Sequence, residues 1–171
     1  MPQGVHAEHS SAPFMLRALE FSSRVVAGAI FGDLHSSMTI SASRFYDNMA
    51  ESGAGLFAIG GAIRFMGLSL AIHGSEFVNN SCISEGEASL NSMGGALGTW
   101  NAMVELSECT LRSNVVSGGL QAAGAALYMW FSRAQLDNCT VDSNVAQNGR
   151  VRAPGGGWWC ICHTKFGLER D

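Results

Sequence analysis

Apolar and polar residues alternate along short stretches of this chain, and the same stretches return at intervals of about 30 to 34 residues. Four stretches align so that two apolar columns are separated by one position, which is polar in three of the four copies. The first column contains Met38, Leu70, Val104 and Ala134, and the second contains Ile40, Ile72, Leu106 and Leu136. Alternation with a period of two predicts short β-strands that bury one face. The chain therefore contains four copies of one β-rich repeat.

Two further landmarks recur in step with these columns. A large apolar residue is followed three positions later by asparagine in 45–48 (FYDN), 77–80 (FVNN), 111–114 (LRSN) and 141–144 (VDSN). A turn of small residues ending in an aliphatic residue also recurs, as in 61–63 (GAI) and 95–97 (GAL). We expect Asn48, Asn80, Asn114 and Asn144 at a corner of each copy. Asparagine tolerates left-handed backbone, and its amide can bond to the amide of the next coil.

One copy alone cannot bury its apolar face, whereas stacked copies can. Each strand then hydrogen-bonds to its counterpart about 4.8 Å above. No run shows the period of 3.6 that is typical of a helix. The sequence therefore predicts an all-β fold, a right-handed single-stranded parallel β-helix (β-solenoid) of about four to five coils.

The repeat also predicts the organisation of the chain. Residues 1–26 are expected to form an N-terminal extension, a partial coil or a cap, and 159–171 an irregular C-terminal tail. The β-helix itself is predicted over 27–158, with coils at about 27–59, 60–93, 94–123 and 124–154 and the start of a fifth at 155. Because this fifth coil never reaches its asparagine, we interpret the chain as a segment of a longer solenoid.

The pairing of GGA[ILV] with FxxN at this spacing resembles the polymorphic outer membrane protein repeats of chlamydial autotransporters. It is similar, more widely, to right-handed β-helices of the pectin-lyase-like superfamily. The better copies are 60–63 (GGAI) with 77–80, and 94–97 (GGAL) with 111–114. The resemblance implies either an adhesin-like role outside the cell or on its surface, or membership in a carbohydrate-active superfamily.

Composition narrows the function classes. The 171 residues are 47% hydrophobic and 14% charged, with a net charge of −4, and the ten basic residues are scattered, which argues against nucleic acid as a partner. No segment has the run of about 18 apolar residues that a membrane span needs. Residues 1–13 lack the order of a secretory signal peptide. The expected extracellular or cell-surface location therefore depends on the resemblance alone.

Candidate catalytic residues are few. His73, Ser107 and Asp137 fall in one outward column, but serine is in the middle, whereas a catalytic triad needs histidine there. We interpret the column as a solvated polar face. Glu105, Glu108, Asp137 and Asp142 are candidate acids, but Glu105 and Glu108 align with Gln135 and Asn138, so no carboxylate pair forms. The sequence therefore predicts no catalytic residues.

The cysteines do not form a recognisable metal motif. Cys160 and Cys162, followed by His163, resemble half of a zinc site, but no second pair lies nearby. We therefore predict neither a metal nor another cofactor. Cys109 and Cys139 fall in an inward column of small residues and are expected to be buried free thiols.

Two features suggest binding. Trp100, Tyr128, Trp130 and Phe131 form either a stacking surface or part of the packing. The segments after each asparagine, 51–59, 84–93, 117–123 and 147–154, differ in length and sequence, as recognition loops do. We predict a non-enzymatic β-solenoid segment of a larger surface or secreted protein, which presents loops and a polar face for adhesion or binding. The alternative is a fragment of a pectin-lyase-like polysaccharide lyase or glycoside hydrolase. The expected partners are carbohydrate or a cell-surface protein, and exposed coil ends also permit self-association.

Overall fold

The computed structural model describes residues 28–32, 36–52, 57–84, 91–118, 121–147 and 158–161. Every regular element in these ranges is a short strand. The first level contains β1 (Ile30–Gly32), β2 (Ser37–Ser41), β3 (Arg44–Tyr46), β4 (Met49–Ser52) and β5 (Phe57–Ile59). The second contains β6 (Ile63–Phe65), β7 (Ser69–His73), β8 (Glu76–Val78), β9 (Ser81–Ser84) and β10 (Asn91–Met93).

The third level contains β11 (Leu97–Trp100), β12 (Met103–Ser107), β13 (Thr110–Arg112), β14 (Val115–Gly118) and β15 (Gln121–Ala123). The fourth contains β16 (Leu127–Trp130), β17 (Arg133–Asp137), β18 (Thr140–Asp142) and β19 (Val145–Gln147), and β20 (Trp158–Ile161) follows. No helix of the described residues is long and apolar enough to cross a membrane.

Equivalent strands of successive levels pair in five sheets, which we call S1 to S5 in chain order. S1 has the order β1-β6-β11-β16-β20, and S2, S3 and S4 are each four strands deep, starting from β2, β3 and β4. S5 contains β5, β10 and β15. All pairs between successive levels are parallel, so the predicted all-β parallel β-solenoid is confirmed. The right-handed winding stays a prediction.

The number of coils differs from the prediction of four to five. Four levels of strands enclose about three complete turns. The strand after the fourth level, β20, pairs antiparallel to β16, with Trp130 opposite Trp158 and Leu127 opposite Ile161. It therefore does not continue the parallel winding. An antiparallel strand satisfies the backbone groups on the open edge of β16 as well as a further parallel strand would.

The main core lies inside S1, S2 and S3. The two apolar columns of S2 pair in register, with Leu70 opposite Val104 and Ile72 opposite Leu106. These side chains are buried together with the inward residues of S1 and S3. In S3, the rings of Phe45 and Phe77 stack with centroids 4.7 Å apart. Only like shapes in successive levels produce such continuous packing.

The four asparagines form a ladder at the corner between S3 and S4. Asn80 Oδ1 accepts hydrogen bonds from the Asn48 backbone N–H at 3.1 Å and from its Nδ2 at 2.8 Å. Asn80 in turn donates its Nδ2 to Asn114 Oδ1 at 2.9 Å, and Asn114 donates to Asn144 in the same way at 2.8 Å. The left-handed backbone that we expected at these asparagines falls one residue earlier. It occurs at Asp47, Asn79, Ser113 and Ser143, with φ from 54° to 56°.

A smaller second core lies between S4 and S5. It contains mainly alanine together with Cys82 and Val116. S5 then turns sharply into S1 at Gly60, Gly94 and Gly124, where φ is +74°, +72° and +66°. A Cβ on Gly60 would lie 2.3 Å from the carbonyl oxygen of Ile63, so this bend requires glycine.

Two predicted regions lie wholly or mostly outside the described residues. They are the extension, partial coil or cap expected at 1–26 and the irregular tail expected at 159–171, of which only the backbone of 159–161 is described.

Candidate binding site

A cleft of about 550 Å³ lies on the outside of the solenoid, where the outer faces of S5 and S1 meet. Phe57 and Ile59 of β5 and Asn91 and Met93 of β10 line it from the S5 side. Residues of S1 and of the corner that follows it line the floor and the opposite rim. They are Arg64, Phe65, Met66, Gly98, Thr99, Trp100, Tyr128 and Trp130. The glycine bend between the two sheets creates the concave angle.

The outward column of S1 forms the floor of the cleft. In register this column contains Phe31, Arg64, Gly98 and Tyr128. Gly98 leaves a gap between two large side chains. A Cβ added there would lie 2.5 Å from Cγ2 of Ile59, so the methyl group of Ile59 lies directly over the glycine. Because Gly98 has no side chain, the S5 wall lies close to the floor at this level.

Arg64 is the charged side chain among the described lining residues, and only 8% of its surface is exposed. Its guanidinium carbon lies 5.7 Å from the centroid of the Phe31 ring, and its Nη2 lies 2.9 Å from Sδ of Met66. A cation over an aromatic ring gains electrostatic attraction. Contacts of the Arg64 guanidinium thus include the Phe31 ring and the Met66 sulfur.

Trp100 and Trp130 form one rim of the cleft. Their rings stack with centroids 4.7 Å apart and an angle of 11° between the planes. The sequence left two roles open for the aromatic residues, a stacking surface or part of the packing, and this pair combines both. Trp130 is half-buried, whereas Trp100 remains 41% exposed. Tyr128, in contrast, is buried on the floor of the cleft.

Beyond this rim, the corner between S1 and S2 exposes large apolar side chains. We call this surface the aromatic corner and define it as Leu68, Trp100, Met103 and Phe131. Phe131 is 69% exposed, and its ring lies 6.0 Å from that of Trp130. Its φ is +49°, a left-handed conformation that bulky residues rarely adopt. The equivalent position one level earlier is occupied by Asn101, at φ +50°.

The segments of variable length end at the S5 wall. Phe57 and Asn91, which lie near the ends of two of these segments, begin strands of S5 and line the cleft. Parts of these segments, 53–56, 85–90, 119–120 and 148–154, lie outside the described residues. The region of greatest sequence variation therefore borders the cleft.

The structure brings His73 together with Ser107 and Glu108. His73 Nδ1 lies 2.8 Å from Ser107 Oγ, and its Nε2 lies 3.8 Å from Glu108 Oε2. Asp137 lies on the other side of Ser107, as the column predicted. A distance of 3.8 Å is too long for a hydrogen bond. His73 and Glu108 are well exposed, so water screens their attraction, and the arrangement is a solvated polar cluster.

The remaining acidic candidates lie apart on the outer faces. Glu105 of β12 lies between Ala71 and Gln135 in register. Asp142 of β18 lies opposite Arg112. Within the described ranges, no three histidine, cysteine, aspartate or glutamate side chains are close enough to hold a metal ion. Cys162 and His163 lie outside these ranges, as does the side chain of Cys160.

Cys82, Cys109 and Cys139 are buried free thiols. Burial in the second core raises the pKa of Cys82 to about 12. Cys109 and Cys139 are neighbours in the inward column. The hydrogen bond between the two thiols, together with burial, raises the pKa of Cys109, and the same hydrogen bond lowers that of Cys139. At the surface of S3, the hydrogen bond from the Tyr46 hydroxyl to Glu76 Oε2 raises the pKa of Tyr46.

Sequence reasoning missed Arg64, Gly98, Leu68 and Met103. The signal was present in the register, because the outward column of S1 changes from an arginine to a glycine to a tyrosine while the inward column of Ile63, Leu97 and Leu127 stays aliphatic. The angle between S5 and S1 could not be predicted from the sequence. Comparison of the chain with models of protein families, with curated proteins and with solved structures finds no match.

Proposed function

We propose that this chain is a non-enzymatic β-solenoid segment of a larger surface or secreted protein, and that it binds a protein partner through the aromatic corner. The observation that carries the proposal is Phe131, a large apolar side chain that is both exposed and held in left-handed backbone. The corner requires left-handed backbone, as at Asn101, but it does not require a large apolar side chain. Strained residues of this kind cluster at functional sites.

The composition of the aromatic corner supports a protein partner. Exposed apolar residues that lie close together mark interaction sites. Protein interfaces are enriched in aromatic residues, methionine and arginine. The aromatic corner offers Trp100, Phe131 and Met103, and the exposed Arg133 lies opposite Met103 in register. A carbohydrate partner would instead need many polar groups around the aromatic rings, because each buried hydroxyl must keep a hydrogen bond.

The scaffold adds rigidity to this surface. Trp100 is held by its stack with Trp130, and both belong to strands that pair on parallel neighbours. A side chain that is already fixed loses little conformational entropy on binding. This makes Trp100 the expected anchor of the interface, in the way that buried tryptophans dominate other interfaces.

The test is binding of fluorescently labelled chain to a panel of eukaryotic cells, with and without protease treatment of the cells, alongside a glycan array. We expect saturable binding that protease treatment removes, and no signal on the array. Phe131→Asn and Trp100→Ala should each weaken binding by about 10-fold or more. The control is Thr140→Ala on the exposed surface of S3, which should bind as the wild type does.

Three results would contradict the proposal. Equal binding by wild type, Phe131→Asn and Trp100→Ala would exclude the aromatic corner as the binding surface. Array signals together with binding that survives protease would identify a carbohydrate partner instead. A rise in the apparent mass of the free chain that Phe131→Asn abolishes would mean that the aromatic corner joins copies of this chain.

A further inference from the structure

Two thiols lie next to each other inside the corner between S2 and S3. Cys109 and Cys139 follow the same left-handed turn in successive levels, and the strands on both sides of them pair in register. The backbone N–H of Thr140 donates to the carbonyl of Cys109 at 2.8 Å, and the two thiols are hydrogen-bonded to each other. Paired strands lie about 4.8 Å apart, within the range of about 4.4–6.8 Å that separates the Cα atoms of a disulfide. The stack therefore holds the two sulfur atoms within reach of each other.

The same position is serine in the first two levels. Ser43 and Ser75 are buried there, and each donates its hydroxyl to the carbonyl two residues earlier, at 2.8 and 3.0 Å. Cys109 and Cys139 make the equivalent contacts through Sγ, at 3.2 and 3.3 Å. Because serine makes the local contacts of this corner, the corner does not require a thiol. What the two cysteines add is the capacity to be oxidised.

The two thiols differ in exposure and in how readily they ionise. Cys139 is 7% exposed and directly precedes β18, the last strand of S3 among the described residues, whereas Cys109 is 1% exposed. The hydrogen bond between the thiols lowers the pKa of Cys139, and the same hydrogen bond, together with burial, raises the pKa of Cys109. The thiolate is the form of cysteine that reacts with oxidants. Cys139 is therefore the sulfur expected to react first.

We propose that Cys109 and Cys139 are a redox pair that forms a disulfide between the third and fourth levels when hydrogen peroxide is present. Cys139 releases its proton, and its sulfur attacks one oxygen of the peroxide. The O–O bond breaks, which leaves a sulfenic acid on Cys139 and a hydroxide that takes up the released proton. The sulfur of Cys109 then attacks that of Cys139, the S–O bond breaks, and water leaves with the proton of Cys109. The two thiols lose two electrons, and one peroxide is reduced to two waters.

The disulfide fastens the fourth level to the rest of the stack. In the reduced chain these levels are joined by hydrogen bonds and packing alone. The covalent bond closes the loop 109–139 in the unfolded chain, which lowers the entropy of that state and so stabilises the fold. The pair lies at the corner between S2 and S3, whereas the aromatic corner lies between S1 and S2. The redox pair therefore does not depend on the proposed binding of a protein.

The test is mass spectrometry of the folded full chain after treatment with hydrogen peroxide at neutral pH. Remaining thiols are blocked with N-ethylmaleimide in denaturant, and the chain is digested with trypsin and Glu-C without reductant. The two enzymes release Cys109 in 109–112 and Cys139 in 134–150, apart from the other cysteines. We expect these two peptides to be joined by a bond that dithiothreitol breaks. Cys82, which is 0% exposed in the second core, is the internal control and should be found blocked by N-ethylmaleimide.

Serine variants separate the roles of the two thiols, because serine already occupies this corner in the first two levels. Cys109→Ser should accumulate a sulfenic acid on Cys139 that dimedone traps. Cys139→Ser should give at least about 10-fold less adduct on Cys109. Oxidation should raise the midpoint of thermal unfolding of the wild type by about 5 °C or more and leave that of Cys139→Ser unchanged.

The peptide map of the wild type decides the proposal even where a serine variant does not fold. Peroxide treatment that leaves Cys109 and Cys139 unjoined, or that joins either of them to Cys160 or Cys162, would overturn it. Equal dimedone labelling in the two serine variants would overturn the assignment of Cys139 as the attacking sulfur. An unchanged midpoint in the oxidised wild type would overturn the stabilising role of the bond.

Discussion

The corner between S3 and S4 carries the same side chain in every level, whereas the corner between S1 and S2 changes its side chains from level to level. The first corner presents asparagine four times, fully buried. At the second, Met66 is followed by Trp100 and Trp130, and Gly67 by Asn101 and Phe131. One side of the repeat, which we call the conserved side, therefore carries the same residue in every level, whereas the other, the variable side, changes from level to level.

The difference has a physical cause. The two inner asparagines, Asn80 and Asn114, each accept from the asparagine of the level before and donate to that of the level after, so a change at either leaves buried polar groups without partners at two other levels. Side chains at the aromatic corner face water and have no such partner to satisfy. The ladder is thus constrained by the stack, and the aromatic corner is free to vary with function.

The largest effect is expected from breaking the ladder with Asn80→Ala. Asn80 is 0% exposed and makes hydrogen bonds to the backbone N–H and amide of Asn48, to the carbonyl of Phe45 and to Asn114. Leaving several buried groups unsatisfied should lower the free energy of unfolding by about 4 kcal/mol. Urea denaturation followed by circular dichroism measures this loss.

The neighbouring residue supplies the matched control. Asn79 is exposed and left-handed, so Asn79→Gly removes an amide without disturbing the backbone. We expect its free energy of unfolding to stay within about 0.5 kcal/mol of the wild type. Similar losses in both variants would mean that the buried ladder has no special role.

A smaller loss of stability is expected when the pH is raised, through Cys82 in the second core. Burial raises the pKa of Cys82 from 9.0 to about 12, so the folded chain keeps a proton that the unfolded chain releases. Stability from this group is complete below pH 9 and is lost as pH rises toward 12, by about 1.4 kcal/mol per pH unit. Cys82→Ala should flatten this decline when urea denaturation is repeated between pH 8 and about 11. An unchanged slope would contradict the role of Cys82.

The conserved side could be predicted from the sequence, and most of the variable side could not. Alternation with a period of two predicted the inward column of Ile40, Ile72, Leu106 and Leu136, because burial imposes that period on any half-buried strand. The cleft depends on the angle at Gly60 between β5 and β6, and no periodic pattern in the sequence predicts that angle. The contact of His73 with Glu108 depended on the left-handed backbone of Glu108, at φ +54°.

The most direct test has the smallest expected effect and concerns Phe131, because the account claims that this side chain contributes nothing to holding the stack together. Phe131→Asn places at this left-handed position the residue that Asn101 provides one level earlier. Relief of backbone strain should raise the free energy of unfolding in urea by about 0.5–1 kcal/mol. A decrease of more than about 1 kcal/mol would contradict the account, because Phe131 would then be a packing residue of the stack.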